Sequence, residues 1–203
     1  MFQCDMPAPR PHNPDVHAPV RGWFSGQDWV PQSFQKEVWE ACAQGESGLL
    51  QAPTGSGKTY AAMGHVMSEA AAQLRSGEPP QKGLKLLWVA PLRALSADIA
   101  SAAERMAAGM GLPWDVGLRT GDTSAKKKAQ QRSQLPDVLI TTPESIHILL
   151  AQKGGAQRLG NVGMVVVDEW HELLGSKRGV QVELALSWLR HQRTKIGRQA
   201  PLI

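Results

Sequence analysis

Short apolar runs alternate with stretches of helical period along most of the chain. Pro31 is predicted to open a helix through Phe34, Val38, Trp39 and Cys42, which recur about one turn apart. Gly45 to Gly48 ends it. Leu49-Leu50 reads as a strand running into a glycine-rich turn, and Lys58 to about Leu74 as a helix. The Ser-Gly and Pro-Pro pairs between Arg75 and Gly83 mark a loop. A strand over Leu84 to Ala90 and an alanine-rich helix over Leu95 to Met110 come next. Val116 to Leu118 reads as a strand, Thr123 to about Gln134 as a polar helix, Val138 to Thr141 as a strand and Pro143 to Leu150 as a helix. Val162 to Val167 is the clearest buried strand, and Gly179 to about His191 the last helix. Pro201-Leu202-Ile203 looks like the start of another strand.

Strand and helix in turn predict an α/β domain with a mostly parallel sheet and helices on both faces. Ligands on such sheets sit at the carboxyl ends of the strands. Residues 1–20 are rich in proline (Pro7, Pro9, Pro11, Pro14, Pro19) and poor in large apolar residues, which predicts a flexible tail before a domain over 21–203. The 203 residues suffice for one sizeable core. A net charge of +4 suits a phosphate-bearing partner without requiring one. Cys4 and Cys42 lack metal-ligand spacing and read as free thiols in a reducing compartment. No apolar run reaches the roughly 18 residues of a membrane span, and Met1 to Asp5 lacks the basic stretch and apolar block of a signal peptide, so none is expected. A cytoplasmic protein is expected.

Ala52-Pro53-Thr54-Gly55-Ser56-Gly57-Lys58-Thr59 lies between a predicted strand and a predicted helix. Its glycines let backbone N–H groups turn inward around phosphate oxygens, and the helix start adds partial positive charge. Lys58 is placed to reach the β- and γ-phosphates and the Thr59 hydroxyl to hold Mg²⁺. The general pattern opens with glycine, where this chain has Ala52. Asp168-Glu169 follows the strand ending at Val167. An aspartate so placed beside a phosphate loop holds Mg²⁺, and the neighbouring glutamate can orient and deprotonate a water.

With Trp170 and His171 added, the two motifs resemble motifs I and II of superfamily 2 DEXH-box helicases, among which the initial alanine is a known variant. Val166 to Leu184, together with Pro91-Leu92-Arg93-Ala94-Leu95, Arg119-Thr120-Gly121-Asp122-Thr123 and Thr141-Thr142-Pro143-Glu144-Ser145, is similar to the Lhr-like group, nearest the bacterial ligase-associated DNA helicases. The resemblance covers roughly Arg21 onward. It implies a RecA-like P-loop fold, with ATP and Mg²⁺ as cofactors, and hydrolysis coupled to movement along single-stranded DNA. DNA-repair proteins such as a ligase or nuclease are implied as partners. It implies that Gln35 reads the adenine edge, that Trp29 stacks on the base while Phe34 packs the core, and that His171 couples the acidic motif to motif III. Pro91 and Arg93, Arg119, Gly121 and Thr123, and Thr142 and Pro143 fall in the strand-contacting turns. Lys177 and Arg178 stand on a basic turn that is either a DNA contact or a solvated loop. Asp122 and Glu144, being acidic, are expected to organise their turns or touch a sugar. Lys126-Lys127-Lys128, Arg190, Arg193, Lys195 and Arg198 read as solvated surface.

No Ser-Ala-Thr motif and no second lobe follow, so the chain is expected to be truncated, whether by design or by a broken reading frame. Such a fragment is expected to bind nucleotide weakly and to unwind nothing. Two alternatives stand beside the DNA motor: an RNA-directed member of the superfamily, and a DNA-binding module with a relic phosphate loop.

Overall fold

The computed structural model describes residues 16–78, 82–160, 162–195, 197 and 199–203. In chain order come α1 (Ala18–Ser25), α2 (Ser33–Ala43), α3 (Lys58–Arg75), β1 (Leu86–Val89), α4 (Arg93–Gly109), β2 (Val116–Arg119) and α5 (Ala125–Ser133). There follow β3 (Val138–Thr141), α6 (Pro143–Ala151), α7 (Gly155–Leu159), β4 (Met164–Val167), α8 (Trp170–Leu173) and α9 (Lys177–Lys195). The four strands form one parallel sheet in the order β2-β3-β1-β4.

The central strands β1 and β3 are buried at every position, as a parallel strand covered on both faces must be. Leu86, Trp88, Val138 and Ile140 face a core shared with α1 to α4, through Phe24, Trp39, Met63 and Met106. Leu87, Val89, Leu139 and Val165 face the other core, with Ile146 and Leu149 of α6, Leu173 of α8 and Val182 and Leu189 of α9. Alternate residues of each strand thus feed opposite layers.

Three expectations need correction. Leu49-Leu50 is not a strand. Its neighbour is the chain's last dipeptide, where Gly48 N–H donates to Ile203 O at 3.0 Å, and no ladder forms. Leu49 is accordingly exposed. Leu202 does form a parallel bridge, to Met164. Between segment 46–50 and β4 lies an apolar groove of about 510 Å³, bounded by Cys42, Leu50, Ala62, Val166, Trp170 and Leu202.

The domain also begins earlier than Arg21. Pro19 and Val20 are buried on α1. Ser68 of α3 fastens them, accepting from Val20 N–H at 3.1 Å and donating to Val16 O at 2.7 Å. Of the tail expected over residues 1–20, residues 1–15, with Cys4, lie outside the described residues; Cys42 is a buried free thiol. Third, Arg193 is buried rather than on the surface. Its guanidinium donates to Gln199 O and Val162 O, tying the end of α9 to the start of β4. Arg198 is outside the described residues. Phe34, read as core, is half-buried and belongs to neither cluster.

A candidate nucleotide site and strand-end track

Gly55 and Gly57 both adopt left-handed backbone, with φ of 77° and 90°. Gly57 is the N-cap of α3, so the chain enters that helix from a conformation that favours glycine. A side chain at Gly57 would also strike Gln35, whose Nε2 lies 2.7 Å from where a Cβ would stand. Lys58 and Thr59 open α3. Lys58 Nζ donates to Ala52 O at 2.6 Å and Pro53 O at 3.1 Å, so its ammonium is folded onto its own loop. Ser56 Oγ also donates to Pro53 O, at 2.7 Å, while Thr54 and Gly55 are exposed. The Thr59 hydroxyl has no hydrogen bond among the described residues and is half-buried.

Gln35, 3% exposed, ties the entry segment to this loop. Its Oε1 accepts from Gln32 N–H at 2.9 Å, capping α2, and its Nε2 donates to Gly57 O at 3.1 Å. One lone pair and one N–H remain beyond these bonds. Trp29 is 45% exposed at the rim of an aromatic cluster, with ring centroids 5.7 Å from Tyr60 and 5.7 Å from Trp23. A half-open indole beside the helix of the phosphate loop suits stacking on a base.

Asp168 leaves the end of β4, its N–H donating to Val89 O at 2.9 Å. One carboxylate oxygen, Oδ1, accepts from Glu169 N–H at 2.9 Å. The other, Oδ2, accepts from the indole N–H of Trp88 at 3.2 Å. Trp88 is 2% exposed, and its role could not be read from the sequence, where it is one more apolar residue of a buried strand. Glu169 sits in left-handed backbone with φ 46°, uncommon outside glycine. That twist separates its side chain from Asp168 and starts α8. His171 is exposed, with Nδ1 3.5 Å from Glu169 Oε2 and Nε2 3.5 Å from Glu172 Oε1. Ala62 of α3 lines the same groove as Val166 and Val167, which sets the phosphate-loop helix against the strand carrying the acidic pair.

No cluster of three or more metal-ligating side chains occurs among the described residues. Nucleotide-bound Mg²⁺ needs none, since it takes one or two protein oxygens and completes its shell with phosphate and water. Asp168 and the unpartnered Thr59 hydroxyl are hard oxygen donors of that kind.

The strand-end turns divide into backbone and side chain. Thr123 Oγ1 accepts from Thr120 N–H at 2.9 Å and donates to Leu118 O at 3.2 Å, so it shapes its turn. Gly121 and Asp122 remain exposed. Thr142 is buried and caps α6, accepting from Ser145 N–H, and Pro143 after it is buried too. Pro91 is buried, and Arg93 opens α4. What these turns can offer a strand is therefore largely backbone. Arg119 is corrected outright. It is 3% exposed, and its Nη1 donates to Lys128 O at 3.2 Å and Gln131 Oε1 at 3.4 Å under α5, so it cannot reach a nucleic acid. Burial, with Arg132 and Arg158 nearby, lowers its pKa.

Lys177 is exposed, but Arg178 is committed within the protein. Its Nε donates to Glu144 Oε1 at 2.6 Å and its Nη2 to Pro91 O at 2.8 Å. Glu144 thus organises its turn, as its charge suggested. Burial works to raise the Glu144 pKa, but its own backbone N–H, the Thr142 hydroxyl and Arg178 together hold it below the usual carboxylate range. Lys126 and Lys127 are exposed, as expected, whereas Lys128 Nζ donates to Gly121 O at 2.8 Å.

Comparison with known proteins agrees with this geometry. The DEAD/DEAH box helicase family profile matches residues 32–200. The Lhr helicase/uracil glycosylase of Escherichia coli is 35% identical over 92% of this chain and 13% of its own length. The ATP-dependent helicase Lhr-Core of Methanothermobacter thermautotrophicus is 33% identical over 92% of this chain and 23% of its own. The structure of Mycobacterium smegmatis helicase Lhr bound to ssDNA and AMP-PNP superimposes with a TM-score of 0.71 and 34% identity, over 86% of this chain and 23% of that one. The chain thus spans less than a quarter of the length of these relatives. With a RecA-like parallel sheet, a phosphate loop before α3 and the Asp168-Glu169 pair after β4, the chain belongs to the DEAD/DEAH box helicase family and is similar over most of its length to the Lhr helicases.

Proposed function

We propose that this chain is the ATP-binding lobe of a DNA translocase that uses Mg-ATP to move along single-stranded DNA. The observation that carries the reading is a groove lined by both Ala62 of α3 and Val167 of β4, two elements that each bear one feature of the site. One is a loop with left-handed glycines before Lys58 and Thr59; the other is an acidic pair at the end of β4.

Lys58 exchanges the carbonyls of Ala52 and Pro53 for phosphate oxygens, so nucleotide binding draws the lysine out of its own loop. Backbone N–H groups of residues 54–59 and the start of α3 add donors to the same anion. Thr59 and Asp168 hold the cation, with Asp168 kept in place by Trp88 and Glu169 N–H. Bound magnesium supplies positive charge against the phosphate oxygens. Glu169 orients a water and takes its proton. Trp29 packs on the base, and Gln35 uses its spare donor and acceptor on the adenine edge.

Titration calorimetry with AMP-PNP tests the site. Wild-type protein should bind, and Lys58→Ala should weaken binding at least tenfold. Asp168→Asn should abolish the increment that Mg²⁺ adds. Unchanged binding in both variants would leave the phosphate loop a relic.

RNA is the second reading. The DExH-box ATP-dependent RNA helicase DExH14 of Arabidopsis thaliana is 33% identical over 138 residues, and backbone-reading turns serve either nucleic acid. Competition between DNA and RNA of one sequence separates the two.

A further inference from the structure

We infer that Arg178 is a positioning residue of the nucleic-acid track, a brace between strand-end turns and not itself a phosphate contact. Its guanidinium joins the turn after β1, through Pro91 O, to the turn after β3, through Glu144. Arg178 itself lies only nine residues after Glu169 of the acidic pair, so three loops at the carboxyl edge of the sheet meet on one side chain.

The backbone beneath it is fixed. Gly179 packs so tightly on α8 that the Leu173 carbonyl stands where a Cβ would be. Ser176 Oγ donates to Leu173 O at 2.7 Å and accepts from Gly179 N–H at 3.1 Å, pinning the first turn of α9 against α8. Any shift of the segment after Asp168-Glu169 is thereby passed to Arg178, and through it to two turns. The ion pair is half open to solvent, and such pairs contribute little to stability. Its effect is geometric: a fork that donates in two directions sets the spacing of two turns at once. Its Nε–H and one Nη2–H are committed to acceptors inside the protein, and the salt slope tests whether any of the other three N–H donors meets a phosphate. Lys177, exposed beside it, is left to face phosphate.

This inference rests on the proposed function for what the track binds, and the test keeps the two apart. Binding of a fluorescent single-stranded DNA oligonucleotide is measured across a salt series, with Mg-AMP-PNP present. The proteins are wild type, Arg178→Ala, Glu144→Gln, the double variant and Lys177→Ala. A brace predicts that Arg178→Ala and Glu144→Gln each weaken binding, roughly tenfold. The double variant should be no weaker than either, and the salt slope should be unchanged. The sign is diagnostic, because removing an acidic charge from a phosphate-binding surface otherwise tightens binding. Lys177→Ala should reduce the slope by about 0.7, one phosphate contact on a single strand. The brace is overturned if Arg178→Ala reduces the slope by that amount while Glu144→Gln binds as well as wild type or better. Hydrogen exchange without nucleic acid supplies the independent arm. Amides at 92–95 and 144–147 should exchange faster in both variants, with those of α3 unchanged; no change there also overturns it. Failure of wild-type protein to bind the oligonucleotide would instead count against the proposed function.

Discussion

The indole N–H of Trp88 donates to Oδ2 of Asp168 at 3.2 Å, from a strand whose other side chains serve only the core. The bond crosses from β1 to the end of β4. It fixes the orientation of a carboxylate whose second oxygen is held by the next residue's N–H. Trp88→Phe keeps an aromatic ring but removes the donor together with part of the buried indole, so the Mg²⁺-dependent part of the loss is what reports on the hydrogen bond. A hydrogen bond to a charged group contributes about 1.5–3 kcal/mol, so Mg²⁺-supported binding of AMP-PNP should fall roughly tenfold or more. Affinity measured in EDTA should stay where it was. An equal loss under both conditions would mean that Trp88 acts through packing alone.

Glu144 gives the lobe a small acid-sensitive contact. Burial alone would raise its pKa, yet its backbone N–H, Thr142 and Arg178 outweigh burial and lower it. A carboxylate with a lowered folded pKa contributes stability that is complete above its unfolded value of about 4.3 and is lost as pH falls through the folded one. The urea midpoint of wild type minus that of Glu144→Gln should therefore be positive at neutral pH and shrink toward zero in the acid range. A gap that widens with acidity would contradict that sign.

The sheet, the helices and the nucleotide motifs were legible because each is written in local pattern. Uniform apolar runs specify buried parallel strands, and Gly55, Gly57, Lys58 and Asp168 are spaced by the chemistry they serve. Three things escaped. Leu49-Leu50 has strand composition, but strands are made by partners, and here only the dipeptide Leu202-Ile203 lies alongside. Arg119 is expected at DNA because it opens a stretch that resembles a strand-contacting motif of the family; in the structure α5 folds over it. Trp88 and Arg178 act through residues 80 and 87 positions away, and no local signal encodes such distances.

Glu169 has the last consequence. A glutamate held at φ 46° bears strain of about 1–2 kcal/mol, which glycine would not. The extra freedom of glycine in the unfolded chain returns about 0.5–1 kcal/mol of that. Glu169→Gly should then melt up to about 2–4 °C above Glu169→Gln, which keeps the twist and loses the charge. Equal or lower melting of the glycine variant would remove the idea. If it holds, the backbone at Glu169 gives up stability that a glycine would recover, and the proposed handling of water by its side chain is obtained at that cost.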